Sequence, residues 1–338
     1  MTLPEPDGNQ DKSGGSFAAE CTKTPGKLNH LFRSSSSLGT SPLIRCVEET
    51  GCPAPFDRRS EDQMSTDAAH RYSDVSRSAC PIVFVHGSLS SRRIWAPYIA
   101  AFGTRETIAI DLPGYGEEAA CPGSSPYRLS NGAAILRRTI EDRSEPVDVV
   151  AHSFGAAVAL RFALEDHARV RTLTVVEPTL FRLLRDLGPR AGDALRGIER
   201  IARGFTPSGP DQDRMFAIAR FVDYWNGART WAALPSQRQE MLALKSDQVR
   251  RDFEAIFSER LCLPAFRKLN VPTLIVTGTV SPAAALLIAE GLARVAPRAS
   301  SVAIAGAGHM LPVTHTPDLL RLLQARLEVH ATPIFKAA

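Results

Sequence analysis

The run Val147-Asp148-Val149-Val150-Ala151-His152-Ser153-Phe154-Gly155-Ala156-Ala157 decides how this chain is read. It passes from a β-branched, apolar strand into a helix of very small residues, with a serine at the corner. Residues 151–155, Ala-His-Ser-Phe-Gly, fit the nucleophile-elbow pattern G-x-S-x-G, with Ala151 in the first glycine position. The composition has a physical cause. A sharp strand-to-helix turn holds the serine in a strained conformation and brings strand and helix almost into contact, so the flanking residues must be tiny. The hydroxyl then stands at a helix N-terminus, where free N–H groups and the helix dipole favour developing negative charge. The alternative is a serine that merely caps a helix; the strand–turn–helix setting favours Ser153 as a nucleophile.

Outward from this corner, short β-branched runs alternate with amphipathic ones. Strands are expected at 81–86, 107–111, 147–152, 172–177, 273–278 and 301–305, and a short edge strand at 72–75. Helices are expected at 92–102, 129–142, 154–166, 282–296 and 317–327. Almost wholly apolar strands separated by crossover helices make an α/β fold with a doubly wound, mostly parallel sheet. The alternation breaks between about 180 and 269, where helical patterns at 194–202, 213–224 and 237–257 occur without a convincing strand. The expected organisation is a core of 71–180 and 270–332 carrying an inserted helical lid at 181–269. Residues 1–70, rich in Ser, Gly, Pro and acidic residues and including the serine run 34–37, show no periodicity. Such a segment buries too little apolar surface to offset its conformational entropy, so a disordered N-terminal extension is expected.

Several segments in chain order resemble the α/β-hydrolase family, over some 250 residues. His86-Gly87-Ser88 follows a strand as the family's oxyanion-loop His-Gly does, and Asp111-Leu112-Pro113-Gly114-Tyr115-Gly116 is similar to its D-x-P-G-x-G turn. The elbow comes third, and Gly306-Ala307-Gly308-His309 resembles its G-x-G-H loop after the last strand. The resemblance implies an oxyanion hole made by the N–H groups of Ser88 and Phe154. His86 and Asp111 read as structural: one ties down its loop, and the other lies too early for the family's triad order. Deprotonating a serine at neutral pH calls for a group titrating near 7, which means imidazole. Of eight histidines, His309 alone sits in a glycine-rich loop between a late strand and a final helix, and His315 already falls at the start of that helix.

The acid departs from the family pattern. Where most members carry aspartate in G-x-x-D, this chain has Gly278-Thr279-Val280-Ser281, and neutral Ser281 cannot stabilise an imidazolium. The resemblance offers Glu177 instead, at the end of the strand that neighbours the nucleophile strand in that fold. Some haloalkane dehalogenases of the family place their acid there, and the order Ser153…Glu177…His309 is kept. The alternative is that Glu177 belongs to a Glu-Pro turn at the lid entrance.

In the lid, Phe221, Tyr224 and Trp225, with Phe216 and Trp231 nearby, either line an apolar substrate pocket or form the lid's own small core. A net charge of +4 on 338 residues, without basic runs interleaved with aromatics, argues against nucleic acid as a partner. No apolar run reaches membrane-spanning length, no secretory signal is visible, and six scattered cysteines read as free thiols, so a cytoplasmic protein is expected. The resemblance implies a cofactor-free, metal-free serine hydrolase of a small to medium apolar carboxylic ester, with a small-molecule substrate as partner and the oligomeric state open. Thioesterases and C–C bond hydrolases share the fold, and a non-catalytic binding relative without the usual acid is the alternative from another class.

Overall fold

The computed structural model describes residues 80–121, 126–207 and 210–329. The extension 1–70 and the edge strand expected at 72–75 lie outside these residues. Six strands, β1 (Ile82–Val85), β2 (Thr107–Ile110), β3 (Val147–His152), β4 (Val170–Val176), β5 (Thr273–Gly278) and β6 (Ala299–Ile304), pair in parallel in the order β2-β1-β3-β4-β5-β6.

Both faces of the central strands are covered, which is why β1, β3 and β4 are buried at almost every position, while the edge strand β6 is partly exposed. Val83, Val85, Val149, Ala151, Leu173 and Val175 point into one core, with α2 (Leu129–Thr139), α3 (Phe154–Glu165) and α9 (Ala283–Val295). Their neighbours Ile82, Phe84, Val150, Val176 and Val276 point into the other. There they pack with Tyr98 of α1 (Ala96–Ala101), Leu311 of α10 (Leu311–Thr314) and Leu319, Leu323 and Leu327 of α11 (Thr316–Val329). From β1 the chain winds outward to β2, then returns to β3 on the other side of β1 and continues to β6. Strand order therefore reverses between β1 and β3. In an open α/β sheet the crevice at such a reversal, beyond the carboxyl ends of the strands, is where ligands bind.

Between β4 and β5 the described residues form helices and turns only. The α-helices among them are α4 (Leu183–Asp186), α5 (Gly192–Ala202), α6 (Asp211–Asn226), α7 (Ser236–Ala243) and α8 (Ser246–Ser258). Two expected helices are interrupted. The pattern at 237–257 breaks into α7 and α8 at Leu244 and Lys245, after which Val249, Phe253 and Ile256 set a new buried stripe. The pattern at 92–102 opens as a 3₁₀ turn (Arg92–Trp95), because Pro97, in the first turn of α1, lacks the N–H that would bond back into the turn before it.

Candidate active site

Ser153 stands between β3 and α3 with φ 54° and ψ −119°, a left-handed conformation costing a non-glycine residue about 1–3 kcal/mol. Its surroundings impose the conformation. The Ser153 N–H donates to the Val176 carbonyl at 2.9 Å, fastening the corner to the end of β4. A methyl group on Gly155 would lie 2.3 Å from the His86 carbonyl oxygen, and one on Gly87 2.8 Å from the Ser153 Cβ. The corner and the turn after β1 thus touch through their glycines, and only a residue without Cβ fits.

One strand over, Glu177 directly follows β4, at φ 54° and fully buried. Its N–H donates to the Val276 carbonyl at 2.8 Å, so the sheet ladder aims the side chain. Glu177 Oε1 accepts the Gly278 N–H at 2.8 Å and the Ser281 hydroxyl at 2.6 Å, and Oε2 faces His309 Nδ1 at 3.1 Å. On the other side of the ring, His309 Nε2 lies 2.9 Å from Ser153 Oγ. The carboxylate beside Nδ1 selects the Nδ1–H tautomer, leaving Nε2 free to accept the serine proton. Ser281, neutral where an aspartate was expected, is therefore a hydrogen-bond donor to the carboxylate that faces the histidine.

Two further groups hold His309. The Trp225 indole lies against its ring at a centroid distance of 4.0 Å and an interplanar angle of 30°. His152 Nε2 donates to the His309 carbonyl at 2.9 Å. Burial, and then the neighbouring His309, lowers the His152 imidazole to about 3, so that ring is neutral. His86 is buried and lowered to about 4 for the same first reason. Its Nδ1 donates to the Gly87 carbonyl at 2.7 Å and its Nε2 accepts the Leu112 N–H at 3.0 Å, which ties the two turns together. Asp111 accepts the N–H groups of Arg92 and Glu117. His315 bonds the adjacent Thr314 hydroxyl, away from the serine.

Ser88 and Phe154 both border the cavity beside Ser153. Phe154 opens α3, and the first N–H groups of a helix have no carbonyl one turn earlier to accept them. The Ser88 hydroxyl donates at 2.5 Å to Asp252 of α8, a residue that sequence reasoning did not single out. Asp252 also accepts the Tyr115 hydroxyl at 2.6 Å and the Gln248 amide at 3.0 Å. Burial pushes its carboxyl up to about 7, against the pull of these three hydrogen bonds and of Arg251. The cluster draws on the turn after β1, the turn after β2, and α8. Its only sequence signal was an acidic residue on the apolar stripe of a helix.

Two cavities meet at the serine. A tight one of about 10 Å³, room for a single water-sized group, is lined by Phe154, Thr179, Phe181, Asp252 and Phe253 among others. A cleft of about 680 Å³ is lined by His309, Met310, Leu89 and Val222 among others. Ser88, Ser153, Phe221 and Trp225 border both. Tyr224 borders neither and packs edge-on against Trp225, centroids 4.8 Å apart, while Phe216 is exposed. Among the described residues no three His, Cys, Asp or Glu side chains are grouped to hold a metal ion, and no helix is long and apolar enough to cross a membrane.

A family model described as the alpha/beta hydrolase family matches residues 82–321. The probable lysophospholipase BODYGUARD 1 of Arabidopsis thaliana is 30% identical over 108 residues, covering 30% of this chain and 23% of that protein. The chain aligns with about a quarter of the length of the plant relatives it matches. The 2-(acetamidomethylene)succinate hydrolase of Mesorhizobium japonicum is 25% identical over 240 residues, 68% of this chain and 81% of that one. Among solved structures, the esterase RhEst1 of a Rhodococcus species superposes with a TM-score of 0.59 at 20% identity, covering 75% of this chain and 91% of that one, which is a likeness of fold.

Proposed function

The chain belongs to the alpha/beta hydrolase family, and from that premise we propose that it is a serine hydrolase that cleaves a carboxylic ester through an acyl-enzyme. The reading is carried by one observation: the unbroken path Ser153 Oγ, His309 Nε2, His309 Nδ1, Glu177 Oε2, with links of 2.9 and 3.1 Å.

Each group has a role that follows from its position. Ser153 Oγ attacks the ester carbonyl while His309 Nε2 takes its proton. Glu177 keeps His309 in the tautomer that can accept this proton and stabilises the imidazolium that results. The N–H groups of Ser88 and Phe154 receive the oxyanion, and removal of one such donor typically costs about 10²–10³ in rate. His309 then passes the proton to the leaving alkoxide, and water, deprotonated by the same histidine, releases the acid. The helices between β4 and β5 serve as a lid, contributing Phe221 and Trp225 to the walls and Asp252 to the oxyanion turn.

A non-catalytic binding protein was attractive only while Ser281 left the imidazolium without a carboxylate. The Ser281 hydroxyl donating to Glu177 supports the hydrolase reading over that alternative. The test is a fluorophosphonate, which phosphonylates an activated serine. Wild-type protein is expected to be labelled at Ser153 and to hydrolyse aryl esters, with both lost in Ser153→Ala. A folded wild-type protein that takes no label would refute the proposal.

A further inference from the structure

The two cavities differ in which catalytic groups they touch, and that difference orients the substrate. His309 must hand its proton to the departing oxygen, so the leaving group lies within reach of Nε2. His309 borders the 680 Å³ cleft and not the tight cavity. Phe154, whose N–H would hold the oxyanion, borders the tight cavity and not the cleft. An ester with its carbonyl carbon over Ser153 therefore sends its alcohol part into the cleft and its acyl part into the tight cavity.

The tight cavity is apolar apart from the serines and two side chains. Asp252 is one. Above about pH 7, where Asp252 is ionised, its carboxylate offers about four lone-pair positions. Ser88 and Tyr115 use two on Oδ2 and Gln248 uses one on Oδ1, which leaves one acceptor position on Oδ1. Thr179 is the other: it is 2% exposed, and its hydroxyl has no hydrogen-bond partner among the described residues. A buried hydroxyl with nothing to bond is costly and uncommon in a folded protein. Here it borders the same small space as a buried carboxylate with capacity to spare. One substrate group answers both, a hydroxyl that donates to Asp252 and accepts from Thr179.

Resting on the serine-hydrolase reading above, we propose that this site is selective for esters of a two-carbon hydroxyacyl group joined to a bulky alcohol, and that Asp252 and Thr179 determine that selectivity. The size of the cavity excludes a long acyl chain, and its two polar groups discriminate against a short alkyl one.

The comparison of glycolate and propionate esters of one aryl alcohol isolates the hydroxyl, because the two acyl groups have nearly the same shape. Each kcat/KM is divided by the ester's own hydroxide-catalysed rate, which removes intrinsic reactivity. Wild-type protein is expected to favour glycolate by ~10–100-fold, the usual worth of a hydrogen bond to a charged or unpaired buried group. Thr179→Val should cut that ratio about tenfold, and Thr179→Ser should restore it. A ratio is read within one preparation, so partial loss of folded protein affects both esters alike. Equal use of the two esters by wild type, or an unchanged ratio in Thr179→Val, overturns the selectivity. Preference for an octanoate ester overturns the assignment of the tight cavity to the acyl side. In those cases fluorophosphonate labelling of Ser153 shows that the hydrolase reading survives; absence of both labelling and turnover removes both proposals together.

Discussion

Replacing Glu177 by glutamine tests the relocated acid in the most direct way, because the surroundings permit the amide only one orientation. Oε1 of Glu177 accepts two donors, the Gly278 N–H and the Ser281 hydroxyl, so the glutamine oxygen must remain there. Its NH₂ is then forced to face His309 Nδ1, where Oε2 stood at 3.1 Å. An NH₂ cannot accept the Nδ1 proton. The imidazole must therefore carry its proton on Nε2, the atom that has to take one from Ser153 at 2.9 Å. The ring stays in place but in the wrong tautomer, and the imidazolium loses its counter-charge. A substitution of this kind in a serine–histidine–carboxylate system costs about 10⁴ in kcat, or about 5 kcal/mol of barrier. The assay is kcat for an activated aryl ester, with a thermal melt showing that the variant is folded. We expect kcat to fall by ~10³–10⁴ with KM changed little. Placing Ser281→Asp on the Glu177→Gln background returns a carboxylate to the same pocket, and a recovery of tenfold or more is expected. A folded Glu177→Gln protein within tenfold of wild-type kcat would show that His309 does not depend on this carboxylate and would refute the argument.

Two further outcomes follow from the packing and electrostatics around the site. Asp252 rises from 3.8 to about 7 on burial, so between these values the folded state holds a proton that the unfolded state has released. Stability contributed at this position therefore declines as pH rises through that window, by at most about 4 kcal/mol in total. Asp252→Asn removes the titration. Its unfolding free energy relative to wild type should improve by about 2–3 kcal/mol between pH 5 and pH 8, measured by chemical denaturation, and a difference that does not change with pH refutes the assignment. Gly155→Ala would place a methyl group 2.3 Å from a backbone carbonyl that cannot rotate away. It is expected to cost about 1–3 kcal/mol in stability and to depress fluorophosphonate labelling, because the turn bearing Ser88 must move; full labelling at wild-type stability contradicts the contact.

The parallel sheet was legible because its central strands are buried on both faces and so read as largely apolar runs, and the six strands expected within the described residues form, within a residue or two at their ends. The boundaries that shifted did so where a local feature competed with the pattern, as at Pro97 and at Leu244–Lys245. The serine corner was legible for a related reason. A strained corner wedged between a strand and a helix demands small residues at fixed offsets, and that demand is local. The position of Glu177 was legible only through its strand and the family order. What holds its other oxygen, leaving Oε2 to face His309, is the Gly278 N–H together with the Ser281 hydroxyl, 104 residues away along the chain, which read as a missing acid until the two were seen together.

Sequence alone determined the fold class and the serine corner, since both arise from periodicity and from sterics between residues a few positions apart. The tertiary structure decided the rest: which carboxylate faces the imidazole, the joining of α8 to the turn after β1 through Asp252, and the division of the site into a tight side and an open one. Those features depend on side chains brought together from β1, β2, β4, β5 and α8. Hydrogen bonding and cavity shape act through space at about 3 Å, and no spacing along the chain encodes them.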